Sequence, residues 1–253
     1  MTRWLWPETL EEAIGLRVSL GDDALPIAGG TFIGVLAQTG FIELPAHVIA
    51  LGRVAGLTGI ERDGETLAIG AMTTHTQVER SALVRDGWGA LAACFGEVAN
   101  VRVRNVATVG GVLADADYAS DPPSMLLALD ARVELAGPGG VRELAVDELI
   151  LGHYETAIEP DELVVRVRIP KPRAAAYVKF RSRSSEDRPC VAVAAARLAS
   201  GEQRVAVGAV SDRPLLVGEL AGAELIGDLR GSADYRRRMV DVHVRRALEQ
   251  LDG

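Results

Sequence analysis

The sequence predicts an α+β chain, on three observations. The first fifty residues read as a β-α-β-like unit, Asp63-Gly64 is a hairpin signal and Gly137-Pro138-Gly139-Gly140 the turn after a further strand, and the tail holds strand-like runs followed by one amphipathic helix. With 253 residues the chain can bury a substantial core without disulfides. Its two cysteines, Cys94 and Cys190, lie far apart in apolar settings, which argues against a bridge, a CxxC site or an iron–sulfur cluster on this chain. A net charge of −8 disfavours a nucleic-acid or acidic-membrane surface. The first residues, MTRWLWPETLEEA, lack the apolar core of a signal peptide and no run reaches membrane-spanning length, so the reading is a soluble protein of the reducing cytoplasm.

Taken in order, Thr9 and Glu12 form a capping box that opens a helix with Leu10, Ala13 and Ile14 on its apolar side. Ala24 to Ala28 is a short apolar strand, Phe32 to Leu36 begins a helix, and His47 to Leu51 is a buried strand. Leu57 to Ile60 and Leu67 to Ile69 flank the first hairpin turn. Thr76 with Glu79 predicts a second cap, and Trp88 to Ala99 suits a helix packed closely on a sheet. Arg132 to Ala136 alternates as a strand, and Leu163 to Ile169 is a half-exposed strand stopped by Pro170 and Pro172, where a boundary is placed. Strand-like runs follow at Ala175 to Phe180, Val191 to Leu198 and Val205 to Val210. A terminal helix starts near Ser232, with Tyr235, Met239, Val242 and Arg246 on one face and arginines on the other. The arginine bunches at 102–104, 181–188, 236–238 and 245–246 read as solvated surface or subunit contact.

Two glycine turns carry the chemistry. In Ala28-Gly29-Gly30-Thr31-Phe32 the glycines free the backbone to curl N–H groups around an oxyanion, and Thr31 adds a hydroxyl. In Thr108-Val109-Gly110-Gly111-Val112 a second pair lies between a β-branched run and a small-residue loop, before Ser120-Asp121-Pro122 opens a helix. Neither turn has the G-x-G-x-x-G spacing, and no acidic residue stands at the distance of a ribose partner, so the dehydrogenase dinucleotide fold is rejected. The histidines His47, His75, His153 and His243 are scattered without ligand-pair spacing and read as structural; no metal site and no catalytic side chain emerge.

With both turns in place, the chain resembles the FAD-binding medium subunit of the molybdenum hydroxylases, the xanthine dehydrogenase and aerobic carbon monoxide dehydrogenase family. The resemblance runs end to end through Ala28 to Phe32, Ile69-Gly70-Ala71-Met72-Thr73, Arg102 to Ala114, Ser120-Asp121 and Gly231 to Arg236. It implies a PCMH-type FAD-binding domain over residues 1–172, in two α+β lobes of about 1–54 and 55–172. A smaller α+β C-terminal domain over 173–253, like that of the CO dehydrogenase flavoprotein, follows. It further implies that the two glycine turns hold the pyrophosphate from opposite lobes, and that Ala114, Asp117, Ser120 and Asp121 line the nucleotide and ribityl path. Small Ala114 permits close approach, and Ser120 and Asp121 suit sugar hydroxyls, with a helix cap as their alternative role. The loop Ser184-Ser185-Glu186-Asp187-Arg188 resembles the segment that approaches the flavin ring. There Arg188 stacks on the ring or sets positive charge beside a reduced flavin, unless it is plain surface.

The family commonly carries an amide just after the second Gly-Gly, and this chain has Val112 instead, so one polar contact to the cofactor is missing or replaced. By the resemblance, this chain takes electrons from a small [2Fe-2S] subunit served by a large molybdenum-cofactor subunit, in a dimer of heterotrimers, and its FAD passes them to an external acceptor. A flavin carries such chemistry while the protein supplies position, electrostatics and access. Two other readings stay open: a stand-alone flavin oxidase of the vanillyl-alcohol oxidase type, and a structural subunit that has lost FAD.

Overall fold

The computed structural model describes residues 1–184 and 186–253, so Ser185 of the Ser184 to Arg188 loop lies outside the described residues. The amino-terminal part builds one small parallel sheet from β1 (Arg3–Leu5), α1 (Leu10–Leu20), β2 (Ala24–Ile27), α2 (Thr31–Gln38) and β3 (His47–Ala50), in strand order β1-β3-β2. The Thr9 hydroxyl caps α1 by accepting the Glu12 N–H at 3.2 Å, while the Glu12 carboxylate reaches back to the Glu8 N–H at 2.9 Å. Strand β1 has no signature in the sequence, because three residues are too few to show a period of two.

The middle of the chain is organised on an antiparallel sheet with helices on one side. Its elements are β4 (Ile60–Asp63), β5 (Thr66–Gly70), α3 (His75–Arg80), α4 (Ala82–Gly87), α5 (Gly89–Gly96), α6 (Val101–Arg104), α7 (Val109–Asp115), α8 (Pro122–Ala128), β6 (Arg132–Gly137), β7 (Gly140–Ala145), α9 (Val146–Leu149), β8 (Ile150–Gly152), β9 (Glu155–Thr156) and β10 (Leu163–Pro170). Five strands pair in the order β4-β5-β10-β6-β7, with β8 and β9 as a separate ribbon. The Asp63-Gly64 turn closes the hairpin β4–β5 as read, and the Gly137 to Gly140 turn closes a second one, β6–β7. The cap of α3 is Thr74 with Gln77, not Thr76 with Glu79; both pairs fit the capping pattern, but the Thr76 hydroxyl is drawn off to Asn105 Oδ1 at 2.7 Å. The β-branched run at Val101–Arg104 is helical, begun by Asn100, whose Oδ1 accepts the Arg102 and Val103 N–H groups.

The rest forms a third sheet, β11 (Ala174–Phe180), β12 (Val191–Arg197), β13 (Gln203–Gly208) and β14 (Leu215–Leu216), covered by α10 (Ala233–Asp252). Strand β12 is buried on both faces. Val191, Val193 and Ala195 join Val240, Ala247 and Leu251 of α10, while Ala194 and Ala196 join Met125 to Ala128 of α8 in the main core. Alanine on that second face lets α8 come close, and every residue of α8 is buried. Another small core joins Ala13, Ile49 and Leu57 to Ala136, Leu163 and Val165, which seats the first sheet against the second. Tyr235 and Met239 pack on the core of α10 as read, but the buried residues of the helix are Arg236, Val240, His243, Ala247 and Leu251, and Arg236 is completely buried. Its guanidinium is satisfied by the Cys190 and Ala209 carbonyls and by Asp228, so this arginine is neither solvated nor a subunit contact.

Candidate functional site

The two glycine turns meet where the first sheet faces the helices of the second. A Cβ on Gly29 would collide with the Val106 carbonyl oxygen, and one on Gly111 would stand 3.7 Å from the Ala28 Cβ. The approach of backbone to backbone at Gly29 therefore requires glycine. Gly30 is left-handed, with φ of 65°, and is the N-cap of α2 without a side-chain cap bond. The helical ladder starts with the Gly34 N–H donating to the Gly30 carbonyl at 2.8 Å. Ahead of it, the N–H groups of Thr31, Phe32 and Ile33 have no acceptor within the helix, and their dipoles sum at this end. That is the chemistry of an anion seat.

The second turn has the same look and a different structure. Gly110 and Gly111 lie inside the first turn of α7, not in a loop, and Thr108 caps that helix. The Val109 N–H donates to the Thr73 carbonyl at 3.0 Å, Gly110 to the Ala71 carbonyl at 2.8 Å, Gly111 to Thr108 Oγ1 at 3.1 Å and Val112 to the Thr108 carbonyl at 3.1 Å. All four donors are thus engaged within the chain. His75 supports this turn from beneath: its N–H donates to the Ala107 carbonyl at 2.9 Å and its Nε2 lies 3.2 Å from the Thr108 carbonyl. Burial lowers the His75 pKa to about 4, so the ring is neutral and Nε2–H is the donor. A Cβ on Gly110 would meet the Ala71 Cβ at 2.6 Å, which makes that glycine a packing requirement too. Val112 is partly buried and packs on the main core, as its apolar side chain favours.

Beyond α7 the chain runs through Ala116 in a left-handed conformation into Asp117-Tyr118-Ala119-Ser120-Asp121. Ala114 is exposed beside the turn, as close approach requires. Asp117 is buried, with Oδ1 accepting the Ala119 N–H at 3.0 Å and Oδ2 2.5 Å from the Arg188 guanidinium. Arg188, exposed at the surface, is tied by this pair to the segment after the second glycine turn. Asp121 does not cap α8 with its side chain, and its carboxylate is turned inward. It accepts the Tyr177 hydroxyl at 2.6 Å and the Lys179 ammonium at 2.9 Å, and Lys179 also donates to the Glu97 carbonyl at 2.8 Å. Burial pushes the Asp121 carboxyl up, against the pull of Lys179 and Tyr177. Both Asp121 carboxylate oxygens thus have partners inside the protein. Ser120 is half-buried, its N–H donating to the Asp117 carbonyl at 3.0 Å.

Four further residues belong to this region. Asp115 is partly buried next to Asp117, and burial together with that neighbouring charge raises its pKa to about 7. Tyr154 stacks on Phe32 at 5.1 Å between ring centroids, and Tyr118 donates to Asp228 at 2.8 Å. Lys179 left one legible trace in the sequence: it is one of only two lysines, set in the apolar run Ala174–Phe180. Tyr154 left none, because its stack on Phe32 joins distant segments, and Asp115 left only its spacing two residues before Asp117, since its burial depends on the fold. His243, also buried, presents Nδ1 to the Met239 carbonyl at 2.7 Å, consistent with a structural ring. Among the described residues no group of His, Cys, Asp and Glu is arranged to hold a metal ion.

The free donors of α2, the bare glycine backbone and small Ala114 fit a bulky dianion, and the Arg188–Asp117 pair limits the negative charge facing it. Comparison with known proteins agrees. The model of the FAD binding domain in molybdopterin dehydrogenase matches residues 1–172. The carbon monoxide dehydrogenase medium chain of Afipia carboxidovorans is 31% identical, covering 96% of this chain and 94% of the relative. The nicotine 6-hydroxylase medium subunit of Paenarthrobacter nicotinovorans is 32% identical over 97% of this chain and 95% of its own length. Among solved structures, Cu,Mo-CO dehydrogenase superposes with a TM-score of 0.93 at 30% identity, covering 99% of this chain and 97% of that one. Sequence, fold and glycine-turn geometry together place the chain in the family of FAD-binding domains of molybdopterin dehydrogenases, as an FAD-binding medium subunit of the molybdenum hydroxylases.

Proposed function

We propose that this chain seats the diphosphate of FAD on the amino end of α2 and serves as the electron-transfer subunit of a heteromeric molybdenum hydroxylase. The observation that carries the reading is the set of free N–H groups at Thr31, Phe32 and Ile33, opening beside the packed Gly29–Val106 contact. When bound, FAD supplies the acceptance and release of electrons, singly or in pairs. The chain's own residues bind and orient it: Ala28 to Phe32 as the anion seat, Thr108 to Val112 as a rigid floor, and Ala114, Asp117, Ser120 and Arg188 along the exit from α7. In this reading residues 1–172 carry the cofactor in lobes of about 1–54 and 55–172, and residues 173–253 hold the segment after α7 through Arg188 and Lys179. Electrons arrive from a [2Fe-2S] subunit, substrate is oxidised on a molybdenum subunit, and the assembly is a dimer of heterotrimers in the cytoplasm. The relatives' names span carbon monoxide, nicotine and xanthine chemistry, which supports a common electron-transfer task on this chain and substrate choice elsewhere. Among the described residues no helix is long and apolar enough to cross a membrane.

The test is the visible absorption spectrum of the chain purified alone and with co-expressed partner subunits, with released flavin identified by chromatography. About one FAD per chain is the outcome this reading requires. A colourless chain in both preparations overturns it in favour of a structural subunit. Reduction of the isolated flavoprotein by an organic substrate, without partners, would instead favour a stand-alone oxidase.

A further inference from the structure

The seam between the two glycine turns is closed in two different ways. At its base, backbone meets backbone: Gly29 lies against Val106 and Ala107, a contact that opens only with the fold. At its rim, closure depends on side chains. The Phe32 ring, on the residue whose own N–H is one of the free donors of α2, stacks on Tyr154 with centroids 5.1 Å apart and planes 28° apart. Tyr154 sits at the tip of the β8–β9 ribbon and is 49% exposed, so no surrounding core fixes it. Its backbone is left-handed, with φ of 59°, a conformation that a bulky side chain adopts only when its surroundings impose it. The imposing contacts are visible: its N–H donates to the Ala116 carbonyl at 3.0 Å, and its ring centroid is 3.7 Å from that of His153, which Tyr118 meets edge-on at 4.9 Å.

We infer that Phe32 and Tyr154 form an aromatic clasp that retains the bound dinucleotide: the pair spans the seam above the anion seat and must part for cofactor to enter or leave. The inference rests on the FAD reading and adds to it the residues that govern residence time. Both partners are positioning residues. A strained, exposed tyrosine held by ring contacts has a ready alternative, because releasing the stack also releases the backbone strain. The geometry of the clasp is that of a closure which opens without unfolding either side.

The experiment is release of FAD from the full holo-chain into an excess of apo-D-amino-acid oxidase, which captures free FAD and reports it as regained oxidase activity. Aromatic pairing of this kind corresponds to a release rate about 2- to 12-fold faster when either ring is removed. Phe32→Ala and Tyr154→Gly are each expected to show that acceleration, the double variant no more than the larger single, and Tyr154→Phe the wild-type rate. Tyr154→Gly is the discriminating variant, because glycine accepts the left-handed backbone and its melting temperature should equal or exceed that of the wild type. Release from Tyr154→Gly at the wild-type rate, with FAD bound at one per chain, overturns the clasp alone. A wild-type chain that takes up no FAD overturns the FAD reading and the clasp together.

Discussion

The two glycine turns are near twins in sequence and opposites in structure. Gly29-Gly30 stands ahead of a helix whose first N–H groups have no internal acceptor; Gly110-Gly111 lies within a helix whose first N–H groups all have one. The first turn offers donors, and the second offers a surface that the first can lie against. A Gly-Gly pair therefore says only that backbone comes close to something. Whether that something is ligand or protein is decided by where the neighbouring N–H groups point.

The largest expected effect tests the shared contact. Gly29→Ala drives a Cβ into the Val106 carbonyl, and the loss of stability should exceed about 3 kcal/mol, read by denaturant unfolding. A Gly29→Ala protein of wild-type stability would mean that the turns are not pressed together. A comparable loss, about 3–5 kcal/mol, is expected for Lys179→Met, which strands Asp121 as a buried unpaired acid, with recovery when Asp121→Asn is added. If Lys179→Met is harmless, the stretch after the second turn is not anchored by the third sheet.

Smaller effects separate donor from floor. Gly30→Asp places a carboxylate at the anion seat and should weaken FAD binding by about 30-fold, roughly 2 kcal/mol, in an equilibrium fluorescence titration. Gly111→Ala crowds the capping Thr108 hydroxyl and should cost about 1 kcal/mol of stability while leaving FAD affinity within about threefold. The reverse ranking of these two variants in the titration would exchange the roles of the turns. The smallest effect concerns Asp115, whose pKa is about 7. It is neutral below that value and negative above it, so FAD affinity should fall by about threefold from about pH 6 to about pH 8, and Asp115→Asn should flatten the profile. The same raised value makes the folded chain hold this proton more tightly than the unfolded chain. Asp115 therefore favours folding at acid pH, and that contribution is lost as pH rises toward about 7.

Much of this is legible without the fold. The hairpin announced by Asp63-Gly64, the turn at Gly137 to Gly140, the strand ended by Pro170, and the terminal helix capped by Ser232 are local matters, written in turn chemistry and periodicity. What escapes is what depends on distant partners. Arginines count as surface by type, yet Arg236 finds the Cys190 and Ala209 carbonyls and Asp228 only once the third sheet has folded. Asp121 reads as a polar side chain at a helix start, and Lys179, 58 residues on, which holds its carboxylate, cannot be seen beside it. Thr76 and Thr74 offer equal caps, and only Asn105 chooses between them.

Strand β12 has a consequence for modularity. Because its alanines complete the core around α8 while its valines complete the core under α10, one strand belongs to two folding units at once. Cutting the chain after residue 172, where the family match ends, would strip the cover from a helix with no exposed residue. A truncated fragment would thus carry both glycine turns and still be sticky and loosely ordered, its long-range architecture hostage to a segment beyond both turns in the chain. For grafting or circular permutation of this flavoprotein, the natural seam is therefore not the boundary at which the match to the FAD binding domain stops.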